Sequence, residues 1–589
     1  MPTSTWKRVA GIGSLAAVSL VSPTQGTPIH KQRQGANITW FPCPDSDNTQ
    51  CAFYEVPMNH TNPDDGDSVS IFMRKLPASV PSDKRLGSIL VNPGGPGGSG
   101  TEWIAEAGQA MSTIIEGKYD LIGFDPRGVN LTGPSTSCFD SESKFKARDY
   151  QLRILGTPFP HLGGIAERRQ VAEILALQSG QGAACAQNGN QKMLRSVGTV
   201  AVAKDMARIV EALGEDGLNF WGYSYGTILG STFAALFPDL VNRMVLDGVS
   251  NADSYFNDLL QWGRDSMQDG SKTLEGFLST CAEAGPKYCA FAVPNSGLDH
   301  KETTESLRKR LNNLFERLGK TPLIVPDSAA GSGIIKASDL QLALFSVLYA
   351  PEAWSDFAQA LVQLERGNGS SLYTTLYLPY SKIVPKPYNQ NIFNRSMQEV
   401  NTWESLYPVL CGDSSPLNIT VDSYADYIRE LGKISPVGEQ WAVIGGGCHS
   451  WPSRAQERYT GPWTVEKGLK KTKFPILFIS VDADPVTPLA SGVKMSSAFG
   501  NESARLLIQH GYGHCSNANP SLCTVKNIRD YFLDGKVPSN GTQCTSEPGY
   551  IYPTNATNSK RSLDERDRGL IDAMNKMKAT RSKLIPFGF

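Results

Sequence analysis

Three residue types that together carry out nucleophilic catalysis follow one another along this chain of 589 residues: a serine, an aspartate and a histidine. The serine is the centre of Gly222-Tyr-Ser224-Tyr-Gly226, directly after the apolar run Leu218–Trp221. Gly-x-Ser-x-Gly at the end of a strand is typical of a sharp strand-to-helix turn that exposes the serine hydroxyl. Because the pentapeptide alone often arises by chance, its partners decide its meaning.

A serine hydroxyl becomes a useful nucleophile only when a base takes its proton and an acid orients that base. In doubly wound hydrolases the three groups occur in the chain order serine, acid, histidine, each at the carboxyl end of a strand. An apolar run at 474–481 ends in Asp482-Ala-Asp484, and another at 504–509 ends in His510-Gly-Tyr-Gly-His514. Both loops therefore follow predicted strands, in the order that this chemistry requires.

Each of these two loops offers two candidates. We favour Asp484 as the acid because Pro485 fixes the turn after it, whereas Asp482 is close enough to the strand to cap it. We favour His514 as the base because the preceding Gly-x-Gly lets the loop bend back over the sheet, whereas His510 lies at the edge of the strand. Asp482 and His510 remain the alternatives.

Attack on a carbonyl also needs an oxyanion hole, in which each backbone N–H contributes about 3 kcal/mol. One donor is expected to be the amide of Tyr225, the residue after the nucleophile. The glycine-rich loop Pro93–Gly98 follows an early predicted strand and can supply the second. A phosphate-binding loop is the rival interpretation, but no Gly-Lys-Ser/Thr follows, which argues against it.

Apolar runs that alternate with helical patterns predict an α/β fold with a mainly parallel, doubly wound sheet. The runs lie at 86–92, 119–124, 218–223, 241–247, 474–481 and 504–509. Between 251 and 440 helical patterns dominate, which predicts a helical cap inserted into the sheet domain.

The predicted organisation begins with a secretory signal peptide, because Lys7-Arg8 precede an apolar run, Val9–Val21, that is too short for a stable anchor. A signal anchor is the alternative. The predicted segments are a signal peptide at 1–26, the N-terminal part of the core at 36–250, the cap at 251–440, the C-terminal part of the core at 441–550 and a mobile tail at 551–589.

Cysteines and glycosylation sequons agree with secretion. Nine sequons occur, at Asn37, Asn59, Asn130, Asn368, Asn394, Asn418, Asn501, Asn540 and Asn555. Short separations predict the disulfides Cys43–Cys51, Cys138–Cys185, Cys281–Cys289 and Cys411–Cys448. Cys515, Cys523 and Cys544 compete for a fifth, for which we favour Cys523–Cys544.

Composition excludes some classes of partner. The formal net charge of −1 gives no reason to expect nucleic acid or an acidic membrane surface. Cys-x-x-Cys pairs are absent from the sequence, so a zinc site is not indicated, and we expect neither a metal nor a cofactor. Because a serine triad acts on amides and esters alike, the expected partner is a peptide or small ester substrate, and the sequence does not specify an oligomeric state.

Several motifs together resemble the α/β-hydrolase peptidases related to tripeptidyl and prolyl aminopeptidases, and above all the secreted tripeptidyl-aminopeptidase branch. They are Asn92-Pro-Gly-Gly-Pro-Gly-Gly-Ser99, Gly123-Phe-Asp-Pro-Arg-Gly128, Trp221-Gly-Tyr-Ser-Tyr-Gly-Thr227, Asp484-Pro-Val-Thr-Pro488 and Gly513-His514. The resemblance runs from about residue 36 to 545 and is weakest across the insertion. It implies an α/β-hydrolase fold, a triad of Ser224, Asp484 and His514, and oxyanion donors at Gly95 and Tyr225.

The resemblance further implies release of short peptides or single residues from a free N-terminus. Such an enzyme must bind the substrate ammonium, which calls for a carboxylate on the cap. Glu404 and Asp413 are the candidates, although each can also be a solvated acid of the insertion. An esterase, lactonase or thioesterase acting on a small metabolite is the alternative, since the same triad serves esters and amides. A non-catalytic binding protein is the third hypothesis, and the complete triad argues against it.

Overall fold

The structure is a computed structural model that describes residues 38–158, 164–294, 301–381, 402–553 and 563–584. The strands are β1 (Phe41–Pro42), β2 (Gln50–Pro57), β3 (Ser68–Leu76), β4 (Ser88–Asn92), β5 (Asp120–Phe124), β6 (Leu218–Tyr223), β7 (Val241–Asp247), β8 (Leu323–Val325), β9 (Gly333–Ile335), β10 (Ile476–Ala483), β11 (Ala504–Tyr512) and β12 (Thr542–Thr545).

The first helices are α1 (Gly100–Ile114), α2 (Glu142–Leu155), α3 (Gly164–Asn188), α4 (Gln191–Ser196), α5 (Thr199–Ala212), α6 (Tyr225–Leu236), α7 (Ala252–Asn257), α8 (Leu259–Ser266), α9 (Gly270–Ala284) and α10 (Thr304–Lys320). The later helices are α11 (Ala337–Tyr349), α12 (Trp354–Glu365), α13 (Ser370–Tyr377), α14 (Thr402–Asp413), α15 (Val421–Ile434), α16 (Gly438–Gly446), α17 (Leu489–Phe499), α18 (Leu522–Asp534) and α19 (Glu565–Leu584).

The main sheet has the strand order β1-β2-β3-β5-β4-β6-β7-β10-β11-β12. All pairings from β5 to β12 are parallel, whereas β1, β2, β3 and β5 pair antiparallel with one another in that order. The prediction of a mainly parallel sheet is therefore confirmed. In this order β6, β7, β10 and β11 are successive neighbours, so the loops at their carboxyl ends meet at one edge of the sheet.

Helices cover both faces of the sheet because successive strand side chains point to opposite faces. In β4, Ile89 and Val91 pack into a core with α1 and α18, whereas Leu90 packs into the opposite core with α5 and α6. Each such buried aliphatic side chain stabilises the fold by about 1.5–3 kcal/mol. Burial on both faces is the reason that these strands appear in the sequence as continuous apolar runs.

The chain between β7 and β10 is mainly helical and contains α7 to α16. In the described part of this segment the regular strands are β8 and β9, which form a separate antiparallel pair. This content agrees with the expected loss of strand patterns, while the limits of a distinct cap at 251–440 stay a prediction. The signal peptide predicted at 1–26 lies outside the described residues.

The prediction of a mobile tail at 551–589 is wrong for α19. This helix buries Leu570, Ala573, Met574 and Met577 in the core that contains α1. The four positions follow the i, i+3, i+4, i+7 pattern of one helix face. This buried face is difficult to predict from the sequence, because its narrow apolar stripe lies within a segment that is otherwise highly charged.

Five disulfides join the predicted pairs, Cys43–Cys51, Cys138–Cys185, Cys281–Cys289, Cys411–Cys448 and Cys523–Cys544. Cys515 is buried and lies outside them. Among the helices in the described ranges, none combines the length and apolar character needed to cross a bilayer.

Candidate active site

Ser224 occupies a sharp turn between β6, which ends at Tyr223, and α6, which begins at Tyr225. Its backbone has φ 56° and ψ −122°, a left-handed conformation that is costly for a residue with a side chain. A Cβ on Gly222 would lie 2.6 Å from the carbonyl oxygen of Gly226, so the turn accepts only glycine there. The geometry is the strand-to-helix elbow expected from Gly-x-Ser-x-Gly.

Asp484 and His514 form a buried pair beside this turn. The Nδ1 atom of His514 lies 3.0 Å from Oδ2 of Asp484. The carboxylate also accepts bonds from the backbone N–H groups of Val486, Thr487 and Cys515, at 3.0, 2.8 and 2.8 Å. Burial opposes the charge of Asp484, but the imidazole and these donors outweigh it and lower the pKa of the carboxyl group below its usual value.

The alternatives Asp482 and His510 form a second pair, at 2.6 Å, and neither residue belongs to the described lining of the cavity that contains Ser224. The hydrogen bond with Asp482 raises the pKa of His510, and the side chain of His510 is 42% exposed. The side chain of His514, by contrast, is 8% exposed and lines the same cavity as Ser224. Each aspartate therefore has its own histidine, and only the Asp484–His514 pair reaches the cavity.

The cavity has a volume of about 160 Å³. The sheet loops contribute Ser224, His514 and the glycine-rich loop to its lining. The helical segment contributes apolar and aromatic side chains, namely Trp262, Tyr349, Leu406, Leu410, Trp441 and Ile444. Glu102 is the one carboxylic acid among the described residues that line it, and within that described lining there is no lysine or arginine.

The glycine-rich loop lies directly against the serine turn. A Cβ on Gly94 would lie 2.6 Å from the carbonyl oxygen of Tyr223 and 3.2 Å from the backbone nitrogen of Tyr225. Gly95 has φ +113°, which a residue with a side chain rarely adopts. Tyr225 is the first residue of α6, so its N–H has no partner within the helix. The backbones of both segments thus lie close to Ser224.

A buried aspartate after β5 holds the far end of this loop. The Asp125 carboxylate accepts hydrogen bonds from the hydroxyl groups of Ser99 and Thr101, at 2.6 and 3.0 Å. Burial raises the pKa of Asp125 to about 6, although these hydrogen bonds partly offset that effect. Ser99 also accepts a bond from the backbone N–H of Glu102 at 3.1 Å and thereby caps α1.

The two predicted ammonium ligands, Glu404 and Asp413, do not line the cavity, and we correct that prediction. Glu404 is 5% exposed and accepts a bond from the backbone N–H of Cys138 at 2.9 Å. Asp413 is completely buried and accepts bonds from the Thr199 hydroxyl at 2.6 Å and the Tyr255 hydroxyl at 3.1 Å. Burial raises the pKa of Asp413 to about 6. Both carboxyl groups instead join helix α14 to neighbouring segments.

Sequence reasoning missed Glu102. It lies in the first turn of α1, and the only feature of the sequence that could have indicated it is its position in the helix that follows the glycine-rich loop. Burial, followed by repulsion from Asp125, raises the pKa of Glu102 to about 7. This carboxyl group, in a largely apolar cavity, is therefore close to half-ionised at neutral pH.

Metal-ligating atoms come together in the described part of the chain at Asp484, His514 and Cys515, within 4.8 Å of one another. The Asp484 oxygens are already occupied by the backbone donors described above and by the hydroxyl of Thr487 at 2.7 Å. Zinc sites usually have three or four protein ligands with free lone pairs. The local hydrogen bonding therefore suits an aspartate–histidine pair better than a metal site.

The predicted glycosylation positions differ in their surroundings. Asn368, Asn418, Asn501 and Asn540 are exposed, whereas Asn59 and Asn130 are half-buried. The Nδ2 atom of Asn130, to which a glycan would be attached, donates to Oδ2 of Asp125 at 2.8 Å, so this position is unsuitable. Asn37, Asn394 and Asn555 lie outside the described residues.

Two family profiles match the sequence. The family described as alpha/beta hydrolase fold matches residues 87–288, and the family described as TAP-like protein matches residues 434–544. The first stretch includes Ser224, and the second includes Asp484 and His514. The matched stretches thus contain the sheet loops that line the cavity, whereas Tyr349, Leu406 and Leu410 lie between them.

Three relatives are similar over most of their length. Serine protease Hip1 of Mycobacterium tuberculosis is 25% identical over 563 residues, 92% of this chain and 97% of the relative. Tripeptidyl aminopeptidase of Streptomyces lividans is 26% identical over 86% of this chain and 87% of the relative. Carboxylesterase B of Mycobacterium tuberculosis is 27% identical over 84% of this chain and 86% of the relative.

Proposed function

We propose that this protein, a serine hydrolase of the α/β-hydrolase fold that resembles the tripeptidyl aminopeptidases, is an exopeptidase that removes short peptides or single residues from free N-termini. The observation that carries the proposal is the Asp484–His514 pair on the cavity that Ser224 also lines. The arrangement has the parts of a serine acyl-transfer site.

In the proposed reaction the Ser224 hydroxyl attacks the scissile carbonyl, and His514 takes its proton at Nε2. Nε2 is the available nitrogen because Nδ1 faces Asp484, whose negative charge stabilises the imidazolium that forms. The backbone N–H groups of Gly95 and Tyr225 donate hydrogen bonds to the carbonyl oxygen and stabilise the negative charge that develops on it.

Collapse of the tetrahedral intermediate breaks the peptide bond. The imidazolium of His514 gives its proton to the departing amine, and the N-terminal fragment stays on Ser224 as an ester. A water molecule then attacks the ester while His514 accepts one of its protons. Collapse of the second tetrahedral intermediate releases the N-terminal fragment as a free acid, and the His514 imidazolium returns a proton to the Ser224 oxygen. His514 must be neutral at the start of each step, because only the free imidazole can accept a proton.

Two features support a peptide with a free N-terminus as the substrate. The tripeptidyl aminopeptidase relative spans the core and the helical segment alike. The cavity is closed on one side by that segment and holds a single carboxylic acid in its described lining, a setting that suits one cationic group. The alternative, ester hydrolysis of a small metabolite, is supported by the similarity to Carboxylesterase B. A non-catalytic role remains the third hypothesis.

Secretion is part of the proposal. Five disulfides suit an oxidising compartment, and the N-terminal leader pattern and exposed sequons agree with export and glycosylation. A peptide or small ester is the proposed partner, and neither nucleic acid nor a stable membrane anchor is part of this proposal.

The test compares three chromogenic substrates: a free Ala-Ala-Pro-type peptide, its N-acylated form and a simple ester. We expect the highest kcat/KM on the free peptide and loss of that activity in Ser224→Ala. Cleavage of only the acylated peptide or the ester would reject the exopeptidase. Activity that survives in Ser224→Ala would reject the mechanism altogether.

A further inference from the structure

Glu102 combines three properties at the edge of the proposed active site. It lines the cavity together with Ser224 and His514. It lies three residues after Ser99, on the first turn of the helix that follows the glycine-rich loop. In the part of the chain that the structure describes, no ion pair or side-chain hydrogen bond engages its carboxyl group.

We propose that Glu102 is the residue that binds the N-terminal ammonium group of the substrate. This inference rests on the proposed exopeptidase function and assigns the specificity for a free N-terminus to a residue of the sheet domain rather than of the helical segment. Glu404 and Asp413, the acids first considered for this role, are buried among hydrogen-bond donors of their own.

The surroundings of Glu102 favour a cationic ligand. The described cavity lining contributes no lysine or arginine, and most of its side chains are apolar or aromatic, so an ionised Glu102 has no counterion within that lining. A substrate ammonium supplies that counterion and donates charge-assisted hydrogen bonds, which are about twice as strong as neutral ones. An N-acylated substrate supplies neither, and its binding would leave the carboxyl group unpaired.

The charged groups around Glu102 determine how binding depends on pH. Asp125, after β5, and Glu106, on the same helix, oppose its ionisation, whereas Arg74, on β3, favours it. His514 is the ionisable histidine on the same cavity. With burial as the largest effect, these groups place the pKa of Glu102 at about 7. Below that pH the carboxyl group is neutral, and above it the group is charged.

The pH dependence of KM follows from these signs. For a free-amine substrate KM is expected to fall as the pH rises through about 7, because Glu102 becomes charged. It rises again above about 8, where the substrate amine itself loses its proton. For an N-acylated peptide or an ester, the fall in KM near pH 7 is not expected.

A simpler role would be structural, because an acidic residue in the first turn stabilises a helix through its dipole. Glu102→Gln removes the charge with little change in shape. Glu106→Gln, one turn later on the exposed side of α1, is the matched control. Thermal unfolding of both variants reports any effect on the helix, and Glu102→Asp tests whether the charge alone restores function.

The experiment measures kcat and KM for wild type, Glu102→Gln, Glu102→Asp and Glu106→Gln on the free Ala-Ala-Pro-type peptide, its N-acylated form and an ester, from pH 5.5 to 9. We expect Glu102→Gln to raise KM for the free peptide roughly 10- to 100-fold, with the other two substrates within about twofold of wild type. Glu102→Asp should recover part of the loss, and the KM change near pH 7 should disappear in Glu102→Gln.

An equal loss on all substrates, or no loss on any, would overturn the assignment of Glu102. The measurements on wild type test the exopeptidase function separately. If wild type prefers the free peptide, that function is upheld even when Glu102→Gln keeps the same preference. If wild type prefers the acylated peptide or the ester, both the function and the assignment are rejected.

Discussion

The backbone N–H of His514 donates to the carbonyl oxygen of Tyr349 at 3.0 Å, and the two rings meet edge to face with centroids 5.0 Å apart. Tyr349 is the last residue of α11, in the helical segment, whereas His514 follows β11 of the sheet. The proposed general base is therefore positioned from two sides, by Asp484 on the sheet and by Tyr349 on the helices. The helical segment thus takes part in the geometry of catalysis as well as in lining the cavity.

Removal of the Tyr349 ring should lower kcat. An edge-to-face aromatic pair is worth about 0.5–1.5 kcal/mol, so Tyr349→Ala is expected to reduce kcat roughly 3- to 10-fold through a less ordered His514. Tyr349→Phe keeps the ring and should retain most of the activity. Steady-state kinetics on the free peptide check this. Equal kcat in Tyr349→Ala and wild type would show that the contact does not position the base.

The two aspartate–histidine pairs should differ in their contribution to kcat. His514→Ala removes the proposed base and is expected to lower kcat by roughly 10⁴-fold or more. His510→Ala removes a half-exposed histidine that does not line the cavity, and its activity should stay within about twofold of wild type. The same contrast is expected between Asp484→Asn and Asp482→Asn. Greater loss in the His510 or Asp482 variant would reverse the assignment.

The hydroxyl of Thr487 should support the acid and the base together. It lies 2.7 Å from Oδ2 of Asp484 and 3.0 Å from Nδ1 of His514. Hydrogen bonds to charged groups contribute about 1.5–3 kcal/mol, so Thr487→Val should lower kcat roughly 10- to 100-fold. Thr487→Ser keeps the hydroxyl and is the control. A Thr487→Val enzyme with wild-type kcat over the pH range would contradict this role.

The disulfides should differ in their contributions to stability according to the length of chain that they enclose. Cys138–Cys185 spans 47 residues and Cys43–Cys51 spans 8. Loop-closure entropy predicts losses of about 4 and 2.5 kcal/mol when they are removed. Urea unfolding of the two double Cys→Ser variants measures both. A larger loss for the shorter loop would show that effects other than chain entropy dominate.

Local patterns in the sequence were sufficient to predict that Ser224, Asp484 and His514 come together in one candidate site. Ser224, Asp484 and His514 each follow a buried strand. Parallel strands bring their carboxyl ends to the same edge of the sheet, and this does not depend on how the rest of the chain packs. The sheet could be predicted for the same reason, since strands buried on both faces are visible as apolar runs.

Residues whose role depends on distant packing could not be predicted. The sequence places Asp413 in the insertion, but its carboxylate accepts a hydrogen bond from the hydroxyl of Thr199, which is 214 residues away in the chain. Glu102 was overlooked because it faces the cavity only when the loops after β4, β6 and β11 surround it. Helix α19 does not stand out in the sequence as an ordered element, because its apolar stripe is buried only where it packs against α1.

Covalent labelling tests most directly whether Ser224 is the nucleophile. A fluorophosphonate reacts with a serine only when a neighbouring base has activated it, and mass spectrometry of the labelled protein locates the adduct. We expect one adduct per chain, on Ser224, with labelling slowed at least 100-fold in His514→Ala and unchanged in His510→Ala. An adduct on another residue, or a folded protein that does not react, would contradict this expectation.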